Sequence, residues 1–345
     1  MSRIAVVTGG TTPERDVAIA GAAQVVAALR AAGHTVTAVD TVTGVLDAAG
    51  EAELLKPVVP TLPPSASHLA ELAQREFLPD LVRWPAVRDA ECVFLVLHGR
   101  DGEGGSVQAL LDLAGIPYAG SDAAGSAVAM DKDLAKRLFR DAGILTAPWA
   151  MWPADAAAIA DLGMPLIVKP LKVGSTVGLT VVREARGIAA AVTEALRYDD
   201  AAMLEAFLPG REFTVGVLED QALAVGEILP SHEIFDYECK YTPGLTQEIF
   251  PADIPAPLAE GMRRLALAAH RTLKLRDFSR VDFRLDGKGV PHCLEVNTLP
   301  GLTRTSLLPQ SAVAVGVDFS ALCTRLVEAG LARGARTEQS SGVPR

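Results

Sequence analysis

The sequence predicts an α/β protein of two or three domains, and three observations carry that prediction. A chain of 345 residues exceeds what one ordinary hydrophobic core organises. The chain opens on an apolar strand at 4–8, then Gly9-Gly10, an Ala-rich helix over 17–32 and a second strand at 35–39, which is a β-α-β unit. Near the other end, Arg280-Val281-Asp282-Phe283 and Leu294-Glu295-Val296-Asn297 alternate polar with apolar residues around Asp286-Gly287-Lys288-Gly289, the pattern of an antiparallel hairpin.

The remaining elements follow in order. Residues 50–85 are Pro-rich and weakly periodic, a variable connection with one short helix at 67–76. A strand at 92–97, the loop 98–105 and a helix at 107–114 complete a small parallel sheet with helices. Composition shifts near Gly120. A helix at 132–141, a strand at 165–169, the glycine loop 172–178, a strand at 179–182, a helix at 187–196 and a strand at 202–207 follow. The third region holds strands at 212–218 and 222–228, an irregular stretch at 231–250, a helix at 257–273, the hairpin and a last helix at 318–329. The expected domains are 1–120, 121–205 and 206–330, with 331–345 a polar tail, disordered or an artificial remnant.

Composition narrows the function. The formal net charge of −10 disfavours wholesale binding to nucleic acid or anionic membrane. Cys92, Cys239, Cys293 and Cys323 are far apart and form no CxxC pair, which suits reduced thiols in a cytosolic protein. No apolar run reaches transmembrane length, and the opening residues lack the pattern of a secretory signal.

The hairpin carries the chemistry. Period-two geometry puts Arg280 with Asp282 on one face, and Glu295 with Asn297 on one face. Adjacent strands would converge three oxygen ligands beside one guanidinium. Such a set suits Mg²⁺, and the arginine suits phosphoryl oxygens. Alternation alone is also what any half-exposed strand shows. Lys169-Pro170 before Gly174-Ser175-Thr176-Val177-Gly178 can bring backbone N–H groups and a cation to phosphates, although it is no P-loop. Glu205 and Glu212 could take a purine amino group and a ribose hydroxyl, or form an ordinary solvent-facing pair. Gly9-Gly10 lacks the GxGxxG turn of a dinucleotide site.

An ordered set of motifs then resembles one family. Thr8-Gly9-Gly10 with Glu14-Arg15-Asp16-Val17 is followed by Leu97-His98-Gly99, Gly115-Ile116-Pro117-Tyr118-Ala119-Gly120-Ser121 and Ala129-Met130-Asp131-Lys132. Then come Val168-Lys169-Pro170 with the glycine loop, Asp236-Tyr237-Glu238-Cys239-Lys240-Tyr241, Arg280-Val281-Asp282, and Glu295-Val296-Asn297-Thr298 before Pro300-Gly301-Leu302-Thr303 and Ser306-Leu307. Together they resemble the D-alanine–D-alanine ligases of the ATP-grasp superfamily, over nearly the whole chain.

The resemblance implies three domains, the first a parallel α/β domain, with ATP held between two antiparallel sheets of the others. It implies that Lys132 and Lys169 bind phosphates, with Lys240 also at the nucleotide, and that Glu205, the Leu208 backbone and Glu212 hold adenosine. Asp282, Glu295 and Asn297 would carry two Mg²⁺ ions, with Mn²⁺ as a substitute, and the Ser175 loop would close over the γ-phosphate. Glu14 would pair with the ammonium of the first D-alanine, with His98 nearby. Arg280 and the Gly301 N–H would meet the oxyanion, and Ser175 and Tyr241 would complete a Glu-Ser-Tyr link. Lys240 and Ser306 would surround the carboxylate of the second substrate, and Leu307 its methyl. A homodimer in a bacterial cytoplasm, supplying peptidoglycan precursors, belongs to the same implication. The sequence departs from the family pattern at Ala18 and Ala20, where serines are usual, and at Gly104 of Gly102-Glu103-Gly104-Gly105. Loss of a hydroxyl near Glu14 keeps related D-amino acids open at the first subsite. D-lactate, D-serine or a specialised secondary-metabolism role are the alternatives.

Overall fold

The structure, a computed structural model, describes residues 1–76 and 78–341, with side chains as far as residue 335. Three sheets organise it, each with its own apolar layer.

The first unit comprises β1 (Arg3–Thr8), α1 (Arg15–Ala31), β2 (Thr35–Asp40), β3 (Gly44–Val45), α2 (Ala48–Leu54), α3 (Ala66–Ala73), α4 (Pro85–Arg88), β4 (Cys92–Leu95), α5 (Gly99–Glu103), α6 (Ser106–Ala114) and β5 (Tyr118–Ala119). Its sheet order is β3-β2-β1-β4-β5. β1 pairs parallel with β2 and β4, and β4 with β5, while β3 folds back antiparallel on β2. Strands covered on both faces read as continuous apolar runs, as Ile4-Ala5-Val6-Val7 does. A Cβ on Gly21 of α1 would stand 3.0 Å from Val96 Cγ1 and 3.5 Å from Leu302 O. The bare glycine therefore lets α1 approach both its own sheet and a loop of the third unit.

Gly9, at φ +99°, answers to a different neighbour. A Cβ there would lie 1.9 Å from Asp40 Oδ1. Asp40 is fully buried and pairs with Arg15 at 2.9 Å, and Arg15 also donates to Gly10 O at 2.9 Å. The glycines leave room for this ion pair, which fixes the turn before Glu14.

The second unit holds α7 (Ala123–Met130), α8 (Lys132–Asp141), β6 (Trp149–Met151), α9 (Ala156–Leu162), β7 (Leu166–Pro170), β8 (Thr180–Val182), α10 (Ile188–Ala195) and β9 (Ala202–Ala206). Its antiparallel sheet runs β6-β9-β7-β8, packed through Leu166, Val168 and Leu204 against Ile188, Ala191 and Val192 of α10. The third unit holds β10 (Glu212–Leu218), β11 (Gln221–Pro230), α11 (Tyr237–Tyr241), β12 (Thr246–Ile249), α12 (Ala256–Thr272), β13 (Phe278–Leu285), β14 (Pro291–Asn297), α13 (Leu307–Val313) and α14 (Phe319–Ser341). Its antiparallel sheet runs β12-β11-β10-β13-β14. Met262, Ala266 and Ala269 of α12 cover one face through Phe213, Val215 and Phe283.

α14 returns to the first unit. Phe319, Leu322, Leu326 and Val327 share a core with β1 and β4, and Arg333 donates to Asp277 and to Tyr118 O. The last helix, expected to end at 329, continues to Ser341, and residues 342–345 of the expected tail lie outside the described residues. The connection 50–85 is also more ordered than expected, carrying α2, α3 and the start of α4, and the stretch 231–250 carries α11 and β12. Among the described residues no helix is long and apolar enough to cross a membrane.

Candidate active site

β13 and β14 pair with Arg280 opposite Asn297 and Asp282 opposite Glu295. The register then slips, Phe283 facing Cys293, so Leu294 is the extra residue of a bulge and lines the cleft between the two antiparallel sheets. Asp282 is the hub. Its Oδ1 accepts from Thr214 Oγ1 at 2.7 Å and Arg280 Nε at 2.9 Å. Its Oδ2 accepts from Arg280 Nη2 at 2.8 Å and Asn297 Nδ2 at 2.9 Å. Lys132 Nζ stands 3.3 Å from Glu295 Oε2. Burial would raise the Glu295 carboxyl, but Lys132, Lys169, Lys240 and Arg280 overcome that and bring it down to about 2. Two carboxylates and an amide form an oxygen donor set, which fits Mg²⁺ and not a softer cation.

A buried triad lies deeper in this cleft. Lys169, in β7, donates to Glu205 Oε2 at 2.7 Å, and Lys136 lies 2.6 Å from Oε1. Burial pushes the Glu205 carboxyl up, yet Lys136 and then Lys169 hold it below its ordinary value. Lys136 is fully buried and also donates to Thr146 Oγ1 at 2.5 Å and Ala147 O at 3.0 Å. Leu208 and Glu212 line the same cleft. Burial, opposed by Arg284 and reinforced by Asp282, pushes Glu212 up to about 7.

The second cleft adjoins the first and is built mostly by loops. Glu14, at the start of α1, accepts a hydrogen bond from Ser175 Oγ, and the Tyr241 phenol of α11 interacts with both Glu14 and Ser175. Ser175 and Thr176 hold left-handed backbone, φ +49° and +63°, a conformation that costs about 1 kcal/mol or more in non-glycine residues. Contacts with the 231–250 stretch hold it: Thr176 Oγ1 donates to Phe235 O at 2.8 Å, and Lys240 Nζ to Thr176 Oγ1 at 3.4 Å. Burial, then Glu14, raise the Tyr241 phenol, so it stays protonated. Burial, then Arg280, lower Lys240.

His98 stands at the N-terminal boundary of α5 with its side chain buried, and burial lowers its pKa against the opposing charge of Glu14. Its Nε2 has no hydrogen-bond partner among the described residues. Glu103 accepts from Gly99 N and from Leu299 N, each at 3.2 Å. It thereby ties the loop that carries Gly301 to the first unit. Burial, then repulsion from Glu14, push Glu103 up to about 8. Ser306 Oγ accepts from Thr303 N at 3.1 Å and lies against Gly301, where a Cβ would come within 2.9 Å of it. Ala18 is fully buried one turn after Glu14.

Every site residue expected from the sequence reaches the wall of one of these clefts. Lys132, Lys169, Glu205, Leu208, Glu212 and Asp282 line the first; Glu14, His98, Tyr241, Asn297, Gly301 and Ser306 line the second. Ser175, Lys240, Arg280, Glu295 and Leu307 line both, so the clefts are continuous. Lys136, Glu103 and Thr214 were not expected. Lys136 lies one helical turn after Lys132, a signal that was available. The contacts of Glu103 and Thr214 depend on partners far away in sequence.

The chain is similar to known proteins over nearly its whole length. The family models described as D-ala D-ala ligase N-terminus and D-ala D-ala ligase C-terminus match residues 3–121 and 138–328. The chain is 41% identical over 340 residues to a D-alanine–D-alanine ligase of Nitratidesulfovibrio vulgaris (strain DP4), covering 97% of this chain and 100% of the relative. It is 38% identical to that of Geotalea uraniireducens (strain Rf4), covering 95% of each. Among solved structures, the D-alanine–D-alanine ligase from Bacillus anthracis complexed with ATP superposes with a TM-score of 0.78 at 27% identity, covering 98% of this chain and 100% of that one. The parallel first unit, the two antiparallel sheets facing a basic and acidic cleft, and these matches together place the chain in the D-alanine–D-alanine ligase family.

Proposed function

We propose that the chain joins two D-alanine molecules with ATP, giving D-alanyl-D-alanine, ADP and phosphate for peptidoglycan precursors. The carrying observation is the continuity of the two clefts through Ser175, Lys240, Arg280 and Glu295. A phosphoryl donor in the first can meet a carboxylate in the second.

A carboxylate oxygen of the first D-alanine attacks the γ-phosphorus, the bond to ADP breaks, and D-alanyl phosphate forms. The amine of the second D-alanine attacks the acyl carbon, and the tetrahedral oxyanion collapses with loss of phosphate. Lys132 and Lys169 neutralise phosphate oxygens, work that phosphoryl transfer leaves almost entirely to positioning and charge. Glu205, the Leu208 backbone and Glu212 receive adenosine. Glu14 holds the first ammonium with His98 alongside, and Arg280 and the Gly301 N–H face the oxyanion. Lys240 and Ser306 take the second carboxylate, Leu307 its methyl, and Ser175 and Tyr241 hold the closed loops. Asp282, Glu295 and Asn297 would hold Mg²⁺, which supplies charge neutralisation at the transferring phosphoryl group. The working form is a homodimer in the cytoplasm.

The test is phosphate release with Mg²⁺-ATP and, in turn, D-alanine, L-alanine, D-serine, and D-alanine with D-lactate, products weighed by mass spectrometry. D-alanine alone should give release and the dipeptide mass. Turnover confined to D-alanine with D-lactate, or to D-serine, would overturn the substrate assignment.

A further inference from the structure

The stretch that carries Lys240 and Tyr241 holds a second set of ligating side chains, chemically unlike the oxygen donors of the hairpin. His232, Asp236 and Cys239 bring one ligand atom each within 4.8 Å of one another. His232 Nδ1 and Asp236 Oδ2 are already 2.8 Å apart. The other oxygen of Asp236 accepts from Cys239 N at 2.9 Å, which orients the carboxylate and leaves Oδ2 facing the imidazole. Cys239 is buried, whereas His232 is exposed, so an ion would enter from the histidine side.

We propose that His232, Asp236 and Cys239 form a site for Zn²⁺ or a similar borderline-soft divalent cation, one that pins the loop in its closed position. Thiolate and imidazole select such cations, and neither occurs among Asp282, Glu295 and Asn297. Three protein ligands with water in the fourth position is an ordinary tetrahedral zinc arrangement. Ligand atoms around tetrahedral zinc stand ~3.5 Å apart, so drawing these three together takes movements of about 1 Å. All three lie within eight consecutive residues of one stretch, so the adjustment is local.

The consequence follows from what adjoins the site. Lys240 and Tyr241 follow Cys239 directly, Thr246 Oγ1 donates to Cys239 O at 2.7 Å, and Phe235 O accepts from Thr176 of the glycine loop. A cation holding both ends of this turn fixes Tyr241 against Ser175. Loops that cover a reaction must open for product to leave, so a pinned loop lowers kcat. This kinetic consequence rests on the proposed ligase reading; the metal site itself does not.

The experiment uses the full chain in two arms. In the first, Co²⁺ is titrated without any substrate and the thiolate-to-metal charge-transfer band is followed. One Co²⁺ per chain with that band is expected, and its absence overturns the site. Cys239→Ala should abolish the band, and so should His232→Ala, whose exposed position spares the fold; a band that survives His232→Ala also overturns the site. In the second arm, micromolar Zn²⁺ is added under excess Mg²⁺. A severalfold fall in kcat is expected for the parent and none for His232→Ala, whose basal rate should match the parent's. Equal inhibition of both would place the inhibitory ion elsewhere and overturn the coupling to the loop.

Discussion

The β13–β14 hairpin and the two covering loops do different jobs and are built in different ways. The hairpin sets Arg280, Asp282, Glu295 and Asn297 by strand register, each residue placed by neighbours directly across the ladder. The two loops are set by contacts with each other and with the first unit, Ser175 with Glu14 and Thr176 with Phe235 and Lys240, partners far away in the chain. A side chain on a paired strand stays put with or without ligand; one on a loop is as well placed as its remote partners allow. The hairpin should therefore govern whether chemistry occurs, and the loops which substrate is used and when it leaves.

The largest effect should come from the hairpin. Asp282→Asn or Glu295→Gln should cut kcat about 1000-fold, the loss of several kcal/mol of transition-state neutralisation, and Asp282→Asn should also lower the thermal midpoint because it breaks the buried pair with Arg280. Steady-state kinetics with D-alanine measure it, and near-parental rates in both variants would sink the metal assignment. Asp282 offers the stiffer test, because Thr214, Arg280 and Asn297 all donate to it.

Next comes the buried triad. Lys136→Met leaves Glu205 with one cation in place of two and should destabilise the fold by about 3 kcal/mol, measured by urea unfolding. The surviving folded fraction should show a raised KM for ATP with kcat little changed, because Glu205 would be misplaced against adenosine. A variant as stable as the parent would show that Lys169 alone satisfies Glu205.

Glu103→Gln should have a smaller effect, about tenfold in kcat, because one of the two N–H groups now meets an amide that can also donate. Its pH behaviour sharpens the contrast. The folded pKa of Glu103 is raised to about 8, so its contribution to stability is present below the ordinary carboxylate range and is lost as pH rises through about 8. Glutamine cannot ionise, so the decline in unfolding free energy across that window should flatten in the variant. An unchanged profile would assign the decline to another group.

These contrasts also explain what was legible in the sequence. Alternation at 280–283 and 294–297 encoded the face shared by the four hairpin residues, and Asp286 and Gly289 encoded the turn, because strand and turn chemistry are local. The helix expected at 132–141 has the same bounds in the structure, where the Asp131 side chain caps it. α2 and α9 were missed because neither buries a residue, so no apolar stripe marked them, although Asp47 and Asp155 cap both. β12 was missed as an edge strand that pairs only with β11. Glu103 could not be read locally, since one of its two donors lies 196 residues away. The glycine loop was legible as a phosphate-approaching turn, but the link of Ser175 to Glu14 and Tyr241 came only through resemblance to a family, since nothing in the loop itself names Glu14 as a partner.

The smallest effect is the most diagnostic of the loops. Ser175 Oγ donates to Glu14, and the Tyr241 phenol interacts with both, so the phenol belongs to a polar cluster on the wall of the second cleft. Tyr241→Phe removes only one hydroxyl, worth about 1 kcal/mol, and should slow turnover less than tenfold. A loosened cleft discriminates less between second substrates. With D-alanine and D-lactate both supplied, the attacking amine of D-alanine is increasingly protonated as pH falls, whereas the hydroxyl of D-lactate is not a base and is unaffected. The share of D-alanyl-D-lactate should therefore rise at low pH, and rise further in the variant than in the parent. Mass analysis of products across pH reads the ratio directly. If the ratio in Tyr241→Phe tracks the parent at every pH, the loops close the site without choosing its substrate, and selectivity falls to Lys240 and Ser306 on the cleft wall.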